Sequence, residues 1–156
     1  MHTARGFSII ELTVTAAILA VLATVAFPMV SLERQRAHER ELKGALREVR
    51  GALDAYKRAV DDGKIQKPRT VSGYPVNLEQ LAQPHANLRD PSAPPLRFLR
   101  RVPRDPFRPP NLEAGMSWGV VAYISTDRRG GATEDVYDIF SLSPRLGLNG
   151  TPYRDW

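Results

Sequence analysis

The sequence contains no cysteine. That excludes a disulfide framework, a thiolate metal site and a cysteine nucleophile. Histidine is scarce as well: His2, His38 and His85 stand apart, without a second imidazole or a carboxylate at ligand spacing, so no metal centre is assigned to them. There is no phosphate-cradling loop, because Gly130-Gly131 lacks a following Lys-Ser/Thr and reads as a turn. No Ser-His-Asp order suggests hydrolysis, and the chain is read as a non-enzyme. A second long apolar run is also missing, which argues against a polytopic membrane protein. The remainder is ordinary on average: 156 residues, 42% hydrophobic and 25% charged, enough for one domain with a modest core. A net charge of +5 leaves room for an acidic partner such as nucleic acid or lipid headgroups.

One long apolar run is present, and it lies near the N-terminus. No charged side chain occurs from Leu12 to Leu32, 21 residues. At about 1.5 Å per residue a helix of that length spans roughly the 30 Å hydrocarbon core of a bilayer. Leu12, Val14, Ile18, Leu19, Val21, Leu22, Val25 and Phe27 fall on all sides of such a helix, leaving no amphipathic stripe. Glu11 stands at its head between apolar neighbours, and an acid entering a bilayer is a functional candidate by default. A secretory signal peptide cut at Thr24-Val25-Ala26, or an uncleaved anchor, would share the apolar run. Neither accounts for the acid at its head.

The residues Arg5-Gly6-Phe7-Ser8-Ile9-Ile10-Glu11-Leu12 resemble the processing site of type IV pilins and of the pseudopilins of type II secretion. The resemblance implies that a membrane-embedded prepilin peptidase cuts between Gly6 and Phe7. It implies that Phe7 becomes the N-methylated first residue and that Glu11 and Pro28 serve assembly. The physics of the pair stands apart from the resemblance. Cleavage would expose a cationic amine four residues from Glu11, and in a stack of helices one subunit's amine can neutralise a neighbour's carboxylate. An uncompensated charge in low dielectric is expensive, so such a pair favours oligomers.

Beyond Ser31 the composition turns charged, and Leu42, Leu46, Val49, Leu53, Tyr56 and Val60 recur at helical spacing. Glu39–Lys43 and Asp54–Arg58 are candidate i,i+4 pairs, while Asp61-Asp62-Gly63 signals a helix stop. Only Pro28 interrupts, so one helix of 53 residues is expected from Ser8 to Val60, about 80 Å long. The rest is loop-rich. Asn77-Leu78-Glu79-Gln80 carries a capping pattern for a short helix to about Ala82. Eight of the thirteen prolines lie from Pro84 to Pro110, an irregular wrap. Residues 118–124 and 136–142 read as two antiparallel strands joined by the loop Asp127–Gly131. The terminal Trp156 is expected to dock on the domain.

Tyr74-Pro75, Leu78, Leu81 and the run from Phe98 to Phe107, together with Asp135–Ser141 and Asp155-Trp156, resemble the major pseudopilin of type II secretion. The fold class implied is α+β. It is a pilin-like lollipop whose long helix, membrane half plus amphipathic half, packs on a small antiparallel sheet with a loop-rich C-terminal region. The parts would be a leader at 1–6, a transmembrane and assembly helix at 7–32, its amphipathic continuation at 33–63, and a periplasmic globular domain at 64–156. The function implied is that of a homopolymer subunit of an inner-membrane-rooted periplasmic fibre that drives protein export. Its partners would be prepilin peptidase, minor pseudopilins, an inner-membrane assembly platform and a secretion ATPase. A type IV pilin, a DNA-uptake pseudopilin and a monomeric anchored binding module are the alternatives. Major pseudopilins usually bind calcium in a Gly- and Asp-rich loop after the last Ser-containing strand. The corresponding stretch here, Leu142–Gly150, has no carboxylate, and Asn149 and Asp155 are the residual calcium candidates. Loss or alteration of the site is expected, with Pro144, Leu146 and Leu148 packing the loop instead. Of the arginines, the cluster Arg97, Arg100, Arg101 and Arg104 is the better candidate for an electrostatic contact. Those on the helix alternate with acids and read as a solvated or inter-subunit face, and the balance is against nucleic acid.

Overall fold

The computed structural model describes residues 8–124 and 134–156, with the backbone alone at 25–28. The leader residues 1–6, Phe7 and the loop Asp127–Gly131 therefore lie outside the described residues. Two compact units emerge, Met1–Ala37 and His38–Trp156.

The first unit is the N-terminal part of helix α1, which runs Ile9–Asp61 over 53 residues. Helical backbone continues through Thr24, Val25, Ala26 and Pro28. Its large apolar side chains are exposed, from Ile9 at 82% to Ile18 at 55%. Water would disfavour such a surface, because each of these side chains gains about 1.5–3 kcal/mol on leaving it. The threonines hide their hydroxyls by donating back along the helix, Thr13 to Ile10 O, Thr15 to Glu11 O and Thr24 to Val21 O. These three hydroxyls thus find acceptors inside the helix, as hydrocarbon requires. Among the described residues α1 is the one helix long and apolar enough to cross a membrane.

In the second unit the remainder of α1 supplies one wall of the core. Leu42, Leu46, Val49, Leu53 and Tyr56 are buried to 2% exposure or less, and Ala45, Ala52 and Ala59 fill the gaps between them. The 4-3-4-3 spacing read from the sequence is this buried stripe, and Val60 packs at its margin. The helix ends in a Schellman cap. Gly63 adopts φ +64°, its N–H donates to Val60 O, and the Lys64 N–H donates to Ala59 O. The last turn differs from expectation at Arg58, whose Nε donates to the Asp54 carbonyl oxygen rather than pairing with its carboxylate. That carbonyl lies one turn back on the same face, and a carbonyl oxygen keeps a second lone pair beside its helix bond.

Opposite α1 stand a short helix α2 (Glu79–Ala82) and a two-stranded antiparallel sheet. Asn77 Oδ1 accepts from the Gln80 N–H, and Gln80 Oε1 accepts from the Val76 N–H. The capping box is thus closed one residue earlier than the pattern implied. Strand β1 (Trp118–Val121) pairs with β2 (Asp138–Ser141), with Trp118 opposite Ser141 and Gly119 opposite Phe140. The ladder is shorter than the sequence reading because Tyr123 and Asp135 leave it for a side-chain contact. Asp135 Oδ1 accepts from the Tyr123 N–H at 2.9 Å, and Oδ2 accepts from the Ser72 hydroxyl.

Between α2 and β1 the proline-rich wrap forms a single isolated bridge, His85 to Leu96. It is pinned at Asp105, which is 2% exposed. The Asp105 carboxylate accepts from the Phe107 N–H at 2.8 Å and the Ser141 hydroxyl at 2.6 Å. The Asp105 N–H donates to Ser117 Oγ at 3.1 Å, and Trp118 Nε1 donates to Pro103 O at 2.9 Å. The Pro-x-Asp-Pro-aromatic run is therefore the joint between wrap and sheet.

Candidate functional site

Glu11 lies in the first turn of α1, where the Leu12 N–H donates to Ser8 O at 3.1 Å. A carboxylate favours that end of a helix, since it faces the positive end of the peptide dipoles. The next basic residue along the chain is Arg34, 23 positions on. At 1.5 Å rise that is about 35 Å away along the helix. Downstream of Glu11 the chain thus offers no cation of its own at that level. Gly6 and Phe7 stand just before the described segment. The structure places Glu11 and the backbone of Pro28 on one continuous helix and does not bring them together.

The second unit presents two arginine arrangements. Arg50, expected on a solvated or inter-subunit face, bonds within its own chain. Its Nε donates to Asp138 Oδ1 at 2.7 Å, and its Nη2 donates to Ile139 O at 3.2 Å and to the main-chain oxygen of Trp156 at 2.9 Å. One planar fork therefore ties α1, β2 and the tail together. The alternation of charges around Arg50 hid this, although its place one residue after the buried Val49 was the available clue. Arg100, Arg101 and Arg104 line an open groove of about 1110 Å³ with Glu41, Glu48, Glu79 and Glu113. Those interleaved acids make the cluster poor phosphate-binding ground, because a phosphate track needs a field of one sign.

The tail is the second surprise. Trp156 docks as expected, edge-on to Tyr153 at 5.0 Å with Lys43 Nζ over its ring at 4.4 Å. The apolar residues assigned to holding the preceding loop do not do so: Pro144 is exposed, and Leu146 and Leu148 are 57% and 45% exposed. Glu39 holds it. This buried carboxylate on α1 accepts from the Leu148 N–H at 2.8 Å and from the Tyr153 hydroxyl at 2.9 Å. Asn149 Oδ1 accepts from the Thr151 N–H, and Asp155 is exposed in a 3₁₀ turn. Among the described residues no group of three His, Cys, Asp or Glu side chains converges as a metal site would require.

Comparison with known proteins agrees with this architecture. Residues 1–27 match the family model for the prokaryotic N-terminal methylation motif. The chain is similar to the type II secretion system core protein G of Klebsiella pneumoniae, 30% identical over 145 residues, covering 92% of this chain and 87% of that one. It is also 27% identical over 147 residues to the type II secretion system core protein G of Pectobacterium carotovorum subsp. carotovorum, covering 94% and 80% respectively. No solved structure matches. A methylation motif at the head of an apolar helix defines the broad class, that of prepilin-like proteins. Within that class the chain belongs to the type II secretion system core protein G family, the major pseudopilins.

Proposed function

We propose that this chain is a structural subunit of a type II secretion pseudopilus, polymerising through α1 to drive protein export across the outer membrane. The observation that carries the reading is Glu11 at the head of an exposed apolar helix, preceded by a methylation motif. The names of the relatives, which share about nine-tenths of this chain's length, support secretion over adhesion or DNA uptake.

The proposed sequence of events is mechanical. Prepilin peptidase cuts after Gly6 and methylates Phe7, while the apolar half of α1 holds the subunit in the inner membrane. The C-terminal unit stands in the periplasm. The Phe7 amine then pairs with Glu11 of a neighbouring copy. Pro28 eases local bending or melting of the helix as it leaves the membrane, since proline removes one backbone N–H and crowds the preceding turn. An assembly platform and a secretion ATPase supply the stroke, and minor pseudopilins complete the fibre.

The test is intact mass with N-terminal sequencing of the protein made beside its own prepilin peptidase, followed by restoration of secretion in a strain lacking its major pseudopilin. The expected product starts at methylated Phe7 and restores export. An uncut chain, or one starting at Phe27, would refute processing. A correctly processed chain that restores surface pili or DNA uptake but not export would refute the secretion assignment.

A further inference from the structure

In this family the loop after the last strand is expected to close around calcium. Here the donor set does not fit that ion. Calcium takes six to eight oxygens with carboxylates among them, and residues 142–152 contain no Asp or Glu. Two of the loop's side-chain oxygens are already engaged, since Ser143 Oγ accepts from the Arg145 N–H and Asn149 Oδ1 from the Thr151 N–H. The Thr151 carbonyl accepts from the Gly147 N–H at 2.9 Å.

The polarity of the loop is in fact reversed. It turns donors inward, the Leu148 N–H and the Tyr153 hydroxyl, and both end on one oxygen of Glu39. A site of this kind wants an anion, and α1 provides it covalently. We propose that the tail loop of this protein is closed without calcium, and that the Glu39 carboxylate takes over the clamping role. Two neighbouring contacts make the clamp continuous. One turn beyond Glu39, Lys43 covers the Trp156 ring, and two turns further Arg50 holds the Trp156 main-chain oxygen. Tyr153 is fully buried and stacked on Phe107 at 4.1 Å, so its hydroxyl is delivered to Glu39 by a fixed ring.

The inference rests on the chain's geometry and on family membership, not on secretion. Its test accordingly needs no secretion assay, and it can fail while the pseudopilus reading stands. The full chain in detergent micelles is stripped with EGTA and titrated with calcium to several millimolar. Isothermal calorimetry, the melting temperature and tryptic cleavage after Arg145 are followed. The expected result is no binding heat, no change in melting temperature, and the same slow cleavage with and without calcium. Glu39→Ala should speed cleavage by about tenfold or more, because it removes the acceptor of both clamp bonds. Tyr153→Phe, which keeps the stacked ring, and Glu39→Gln, which keeps an acceptor oxygen, should fall between that variant and wild type. These two carry the test if Glu39→Ala does not fold. Stoichiometric calcium binding, or a melting temperature raised by several degrees, would overturn the proposal. So would wild-type cleavage rates in the clamp variants.

Discussion

Asp105→Ala tests how the irregular half of this protein is held. The carboxylate is buried and accepts two bonds, from the Phe107 N–H and the Ser141 hydroxyl. Hydrogen bonds to a charged group contribute about 1.5–3 kcal/mol each, and removing the acceptor leaves both donors without a partner away from water. The expected cost is about 3–5 kcal/mol, a large share of the 5–15 kcal/mol typical of a whole domain. Ser141→Ala should cost less, about 1.5–2.5 kcal/mol, although Ser141 Oγ also accepts from the Ser143 N–H. The two residues share a bond, so the double variant should cost about 1–2 kcal/mol less than the sum. Arg97→Ala, at an exposed position, is the control and should stay within about 0.5 kcal/mol. The assay is urea unfolding of the full chain in micelles followed by tryptophan fluorescence, because the Trp118 indole is bonded to Pro103 within this joint. An Asp105→Ala variant within about 1 kcal/mol of wild type, or additive costs in the double variant, would refute the account.

Further outcomes follow from other parts of the structure. Gly119 faces Phe140 across the ladder, and a Cβ there would collide with the phenyl ring, so Gly119→Ala should cost about 1–3 kcal/mol in the same urea assay. Burial pushes the hydroxyl of Tyr56 above its ordinary 10.0, and burial, helped by Asp54 and neighbouring tyrosines, does the same to Tyr74. A raised folded value means that this contribution to stability is complete below pH 10.0 and is lost as pH rises through the folded value. Titration at 295 nm should therefore show late-ionising tyrosines, and all five titrating normally in a folded chain would contradict this. Gly6→Ala should block processing by prepilin peptidase, and a mature-sized band from that variant would count against the assigned cleavage site.

The sequence disclosed the elements whose physics is local or periodic. The stripe from Leu42 to Tyr56 announced a buried helix face, Gly63 its end, and Asn77 with Gln80 the cap of α2. The tail and the wrap were legible only in outline, because their contacts join residues far apart in the chain. Glu39 reads as half of an exposed i,i+4 pair, yet its bonds go to residues 109 and 114 positions away. Arg50 reads as one charge among many until Asp138 is seen 88 positions on. Asp105 lay inside a recognised run, but nothing local showed that its partner would be Ser141. Apolar character misled at Leu146 and Leu148, where polar anchoring frees the side chains to face outward. Hydrophobic pattern thus located the core, while the polar bonds that fix loops onto it depend on the tertiary arrangement.

The asymmetry of the proposed charge pair yields a sharper expectation for Glu11 than simple loss of function. A subunit would contribute two separable halves, an amine that pairs with one neighbour and a carboxylate that pairs with another. At about 4 Å and an effective dielectric near 20 such a pair is worth up to about 4 kcal/mol before desolvation, enough to decide whether a subunit adds to a fibre. With the nearest downstream cation at Arg34, no other group further along the same helix can substitute. Glu11→Ala alone should therefore be processed and inserted yet form no fibres. Made beside an excess of wild type, it keeps its amine and can still serve a neighbour's Glu11. Sparse incorporation into fibres is then expected, with fibre number falling as the variant fraction rises. Electron microscopy with an epitope on the variant reads both quantities. Fibres of normal length from Glu11→Ala alone would refute the pair. Complete exclusion of the processed variant from mixed fibres would show instead that the carboxylate is needed within its own subunit.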